Sequence, residues 1–225
     1  MADDPGQVLR EARNAVRQGA HADALEKYLW FHHHALEHDP AMVGVRLSYA
    51  ISEWVELSAV YPPARDALES IQLSNLRSLQ DGSHNARQFH DFSSINEHLG
   101  RHDLTSSLFA AIAEREPEFA SRCFPFARFA LIRTGKFALA RSFVRSPTEQ
   151  LDTSLARLAE VINKRPHPAH DEALIGVYAK HVRQVSSIFE GVGENEEATL
   201  LQMKATEALA DPSNREELRR QLLWR

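Results

Sequence analysis

Only one of the 225 residues is a cysteine, so no disulfide can form within the chain. Cys123 lies beside Phe124 and Phe126, the surroundings of a small core residue rather than a nucleophile. A reducing, cytoplasmic setting is expected. Long apolar runs are missing too. The longest, Cys123 to Ile132, is cut by Arg128, and the opening MADDPGQ lacks the basic end and apolar stretch of a secretory signal. This excludes a membrane-spanning segment of the usual length and makes a soluble protein the expectation. Positive charge is also short: 26 Lys and Arg against 31 Asp and Glu leave a net charge of −5. A protein that tracks phosphates usually carries a basic balance, so nucleic acid is disfavoured as a general partner, while a local basic surface is allowed.

Signatures of catalysis are equally scarce. There is no phosphate-binding loop beyond a bare TGKF, no G-x-S-x-G elbow, no H-E-x-x-H and no G-x-G-x-x-G. No cofactor is expected and the chain reads as a non-enzyme. A site assembled from distant helices would escape such a search, so an enzymatic alternative stays open.

What is present is the mixture of a globular chain, 43% hydrophobic and 25% charged, arranged almost everywhere with helical periodicity. Val8, Ala12, Ala15 and Val16 form one stripe with Arg10, Arg13 and Arg17 off it. Alternating strand patterns do not occur. Prolines fall where helices would begin or end: Pro40, Pro62, Pro63, Pro117, Pro147, Pro166, Pro168 and Pro212. In SPTE, Ser146, Pro147 and Glu149 have the spacing of a capping box, which predicts an extra helix over 147–164 carrying Leu151, Leu155, Leu158 and Ile162.

The helices repeat. In residues 86–119, Phe89 and Phe92 precede a Leu99-Gly100 turn, then Thr105, Phe109, Ile112 and Pro117 follow. Residues 121–146 repeat the scheme with Phe124, Ala127, Leu131, Gly135, Phe137, Ala140 and Val144, Gly135 lying 35 residues after Gly100. Looser copies carry Gly19, Ala24 and Tyr28, then Ile51, Trp54, Ala67 and Ile71, and finally Val182, Val185, Phe189, Gly193, Ala198 and Leu201. The pattern resembles the tetratricopeptide repeat, a helical hairpin of about 34 residues. The match is degenerate: Ser93 stands at the family's small-residue place and Asn96 at its tyrosine. The resemblance implies a single all-α domain over 1–225, a right-handed solenoid of about five stacked hairpins, with the extra helix and a C-terminal capping helix in DPSNREELRRQLLW.

It also implies a concave face, lined by the first helix of each hairpin, that holds a segment of another protein. The residues on those places are Arg10, Arg13 and Arg17; Tyr49, Ser52, Glu53 and Glu56; Arg87, His90, Ser94 and Glu97; Arg122, Phe126, Phe129 and Arg133; Lys180 and Arg183. The set is basic in an acidic protein, which predicts an acidic partner segment. Tyr49, Arg87, His90, Arg122, Phe126, Phe129 and Arg133 are its principal candidates. The family's lysine and asparagine places for gripping a terminal carboxylate are not matched.

A second candidate surface lies in the run FHHHALEH. Pro40 stands one helical turn beyond the place of the repeat's closing proline, so the helix over 22–38 is a turn too long, and the histidines fill the excess. At 100° per residue Leu25, Leu29, His32 and Leu36 share the expected apolar face, and Trp30, His34 and His38 the opposite one. His32 reads as a packed imidazole. His34 and His38 have an i, i+4 spacing without a diagnostic third ligand, so no metal is expected. Exposed tryptophan favours interfaces, which makes Trp30 a contact candidate. The expected function is therefore protein binding in a cytoplasmic adaptor, secretion chaperone or toxin-immunity role. A helical enzyme or metalloprotein built on residues 32–38, and an RNA- or nucleotide-binding regulator, are the alternatives. Self-association is left open.

Overall fold

The computed structural model describes residues 4–82, 85–147, 151–164 and 168–223. Glu149, Pro166 and Trp224, all used in the reading above, lie outside the described residues. Every regular element among the described residues is helical, and none of these helices is long and apolar enough to cross a membrane. The fold class is all-α.

The chain divides into two compact units. Residues 1–112 and 118–126 form the first. It contains α1 (Pro5–Arg17), α2 (His21–His38), a 3-10 turn (Pro40–Met42), α3 (Val43–Leu47), α4 (Tyr49–Val60), α5 (Pro62–Gln80), α6 (Ala86–His98) and most of α7 (His102–Arg115). It also takes residues 118–126 of α8 (Pro117–Arg133). The second unit holds residues 113–117 and 127–225, with the rest of α8, then α9 (Phe137–Arg141), α10 (Thr153–Asn163), α11 (Pro168–Gly191), α12 (Asn195–Glu207) and α13 (Pro212–Leu223).

Local chemistry sets most of these boundaries. Pro5, Pro62, Pro117, Pro168 and Pro212 each open a helix, where the missing N–H costs nothing and the fixed φ suits the first turn. The Asn85 side chain accepts from the Gln88 N–H while the Asn85 N–H donates to Gln88 Oε1, each at 3.0 Å, a reciprocal cap that starts α6. Gly100 and Gly135 take φ of 69° and 70°, the left-handed conformation that lets the chain reverse after α6 and α8. The SPTE expectation fails at this level: Pro147 sits in a turn and α10 starts at Thr153, where the Asp152 carboxylate caps Ser154. The Asp152 cap sets the helix start six residues later than Pro147 would. Pro125, in turn, lies inside α8, where its ring removes one backbone donor.

The core of the first unit gathers Phe31, Ile51, Trp54, Leu57, Leu68 and Ile95, all 1% exposed or less. Trp54 Nε1 donates to the Ala64 carbonyl at 2.8 Å and joins α4 to the start of α5. Phe109 stands 6.1 Å from Phe89 and 6.2 Å from Phe124, so aromatic rings on α6, α7 and α8 fill one layer. Asn96, where the repeat would have tyrosine, is fully buried; it accepts from Gln72 Nε2 at 2.8 Å and donates to Thr105 Oγ1 at 3.1 Å. A hydrogen-bonded amide thus links α5, α6 and α7 within the core. In the second unit α11 is central, packing Tyr178, Val182, Val185, Ile188 and Phe189 inward. Tyr178 donates to the Ala205 carbonyl on α12 at 3.0 Å.

Candidate functional site

The histidine-rich helix does not bury the face that its leucines suggest. Tyr28, Phe31, His32 and Ala35 are buried, while Leu25, Leu29 and Leu36 are half-buried. The large rings fill the core against α4, where Tyr28 and Trp54 lie 6.2 Å apart at 15°, and this rotates the helix from the leucine stripe. Trp30 is half-buried and packs at the edge of that core, not on a solvated face. Its ring stacks with His38 at 5.4 Å and tilts against His34 at 5.7 Å, so the i, i+4, i+8 series forms a short aromatic ladder.

His32 is 7% exposed. Arg46 of α3 reaches it: Nη1 donates to the His32 carbonyl at 3.2 Å and stands 3.3 Å from both ring nitrogens. Equal distances to the two nitrogens put the guanidinium against the ring rather than in line with either lone pair. Burial, followed by the Arg46 charge, pushes the His32 pKa down to about 3, so the ring is neutral at physiological pH. The other arm of Arg46, Nη2, pairs with Asp91 Oδ1 of α6 at 2.5 Å, with only 4% and 15% of the two side chains exposed. Arg46 Nε is buried without an acceptor.

This pair forms part of the wall of a cavity of about 380 Å³ in the first unit. Its polar lining comes from His33 and Glu37 of α2, Ser74 and Asn75 of α5, and Arg87 of α6, beside Arg46 and Asp91. Burial also lowers the His33 pKa.

Four of the sequence-derived candidates lie in the same unit, Arg87 and His90 on α6 and Arg122 and Phe126 on α8. The His90 and Phe126 rings stack face to face, 4.0 Å apart at 14°. Burial lowers the His90 pKa and so favours the neutral form of the stacked imidazole, against the opposing pull of Asp91. Arg122 folds back over the Phe119 ring at 5.5 Å, and both Arg87 and Arg122 are exposed. Tyr49 on α4 is 68% exposed. In the second unit Phe129 is half-buried with Lys180 Nζ 5.8 Å from its ring, and Arg133 is exposed.

Other residues of the basic set are not available as an open row. Arg13 is bound to Glu53 with contacts of 2.8 to 3.0 Å, Arg183 donates to the Gln221 carbonyl at 2.9 Å, and Ser94 is buried. Paired with a carboxylate, engaged by a carbonyl or buried, they do not form an open basic row. Sequence reasoning missed Arg46, Asp91 and His33. A charge framed by apolar neighbours, Val45-Arg46-Leu47 and Phe89-His90-Asp91-Phe92, was the available signal.

Among the described residues, no group of three or more His, Cys, Asp or Glu is placed to hold a metal ion. No family model and no curated protein matches the sequence. Among solved structures, the chain is similar to a crystal structure of a tetratricopeptide repeat protein from Parabacteroides merdae ATCC 43184. The identity is 13%, over 97% of this chain and 85% of that one, with a TM-score of 0.32, and a likeness of that size carries no argument about fold or function.

Proposed function

We propose that this chain is a non-enzymatic interaction module that holds an acidic segment of a partner protein against α6 and α8. The observation that carries the reading is the His90–Phe126 stack, which joins α6 to α8, the helices that also carry the exposed Arg87 and Arg122. Such a surface combines an apolar platform with guanidinium groups that can grip carboxylates through paired hydrogen bonds. Tyr49 extends the candidate contacts on α4, and Phe129 and Arg133 are candidates on the second unit. Trp30, His34 and His38 form a second candidate surface.

The test begins with partners captured from native extract, each then prepared alone and titrated at two salt concentrations. Arg87→Glu with Arg122→Glu should weaken association severely and reverse its salt dependence, and Phe126→Ala should speed dissociation. Unchanged affinity in both folded variants would overturn this surface and direct attention to Trp30.

A further inference from the structure

We propose that the cavity between α2, α5 and α6 is a subsite for one carboxylate, supplied by an aspartate or glutamate side chain of the bound segment. This inference rests on the reading of α6 as part of an acidic-segment surface. Arg87 belongs both to that surface and to the cavity wall, so a segment lying on α6 can turn one side chain inward there.

The charges of the lining select the ligand. Asp91 is in contact with Arg46, so these two cancel. Glu37 stands 3.1 Å from His34 Nδ1 at the solvent side. His32 is neutral for the reasons above, and burial shifts His33 in the same direction. Arg87 is left as the cation of the lining that makes no ion pair among the described residues. The Ser74 and Asn75 side chains likewise hold no hydrogen bond among the described residues, and each can donate. A guanidinium or ammonium ligand would meet the unpaired Arg87. A phosphate dianion would bring two negative charges to one unpaired arginine beside the Glu37 carboxylate. A single carboxylate satisfies Arg87 and the neutral donors while adding the least repulsion. The buried Arg46 Nε–H adds a second reason: a buried donor without an acceptor is costly, and a small shift of the guanidinium toward an incoming oxygen would relieve it.

The experiment uses the full chain and small probes. The His33 ring proton signals, assigned by their loss in His33→Gln, are followed during titration with N-acetyl-aspartate N-methylamide. Its asparagine counterpart, acetylglycine and inorganic phosphate are titrated in parallel. The aspartate probe should give saturable shifts, and Arg87→Gln should weaken it by about tenfold or more, the effect of losing a charged hydrogen-bond partner. Asn75→Asp, which places a third carboxylate in the lining, should weaken it too. Tighter binding of acetylglycine would assign the pocket to a chain terminus and overturn the side-chain proposal. Equal shifts from the asparagine probe, tighter binding of phosphate, or indifference to both substitutions would overturn the carboxylate proposal altogether. These readouts need no partner, so a failed pocket leaves the α6–α8 surface standing, and a failed surface leaves the pocket result intact.

Discussion

Each unit buries one arginine to the same degree, Arg46 in the first and Arg128 in the second, both 3% exposed, yet the two are satisfied in different ways. Arg46 touches the Asp91 carboxylate and the His32 carbonyl. Arg128 donates through Nε to the Gln184 side-chain oxygen at 3.2 Å and has no carboxylate in contact among the described residues. Burial accordingly lowers the Arg128 pKa, opposed only by the more distant Asp152. A buried guanidinium tolerates either arrangement, but the consequences differ. An ion pair makes each partner indispensable to the other, whereas an amide partner can turn to water when the cation is removed.

The widest separation between the two should appear on replacement by a straight apolar chain. Arg46→Met leaves Asp91 as an uncompensated, largely buried charge and is expected to cost about 3 to 5 kcal/mol in urea denaturation. Arg128→Met strands no contacting charge among the described residues and should stay within about 1.5 kcal/mol of wild type. Equal losses would dissolve the distinction.

Acid should expose the same asymmetry. The unfolded His32 takes up a proton near its ordinary pKa of 6.5, but the folded ring resists until about 3. Stability is therefore independent of this group above 6.5. It falls as pH drops below that, by about 1.4 kcal/mol per unit until about 3. His32→Leu should make the stability profile over that range shallower by this amount, and an unchanged slope would mean that His32 titrates normally. His33, His90 and His181 are lowered in the same direction by burial and supply a background shared by the two units.

Smaller effects sharpen the comparison between glycines. A Cβ on Gly191, at the end of α11, would meet the Phe137 ring at 2.2 Å, and Gly191→Ala should cost about 1 to 3 kcal/mol by overpacking the second unit. Gly100 in the first unit has open space around it but a φ of 69°, so Gly100→Ala should cost about 1 kcal/mol through backbone strain alone. A larger loss at Gly100 than at Gly191, measured by thermal denaturation, would reverse this assignment.

The site was legible only in part, for a physical reason visible in α6. Arg87 and His90 could be placed on one face by counting 100° steps, and the structure stacks the His90 ring on Phe126 of α8, beyond the intervening α7. Asp91 could not be matched to its partner. Arg46 lies 45 residues earlier, and no periodicity carries information across that distance. The same limit misled the reading of α2, where the leucine spacing was locally sound but the larger rings of Tyr28 and Phe31 fit the space beside Trp54.

The sequence by itself determined that the chain is helical, where most helices begin, and that it reverses at Gly19, Gly100, Gly135 and Gly193, all found at positive φ. Those outcomes depend on interactions within a few residues: apolar periodicity, a cap, a proline at a first turn, a residue without Cβ. Tertiary structure alone decided that Asn96 would bridge Gln72 and Thr105, that His32 would lie against Arg46, and that Arg87 would border a polar cavity. Each of these depends on which helices meet and at what rotation, and that is settled by filling the core with the large side chains, a condition on the whole unit that no short segment contains.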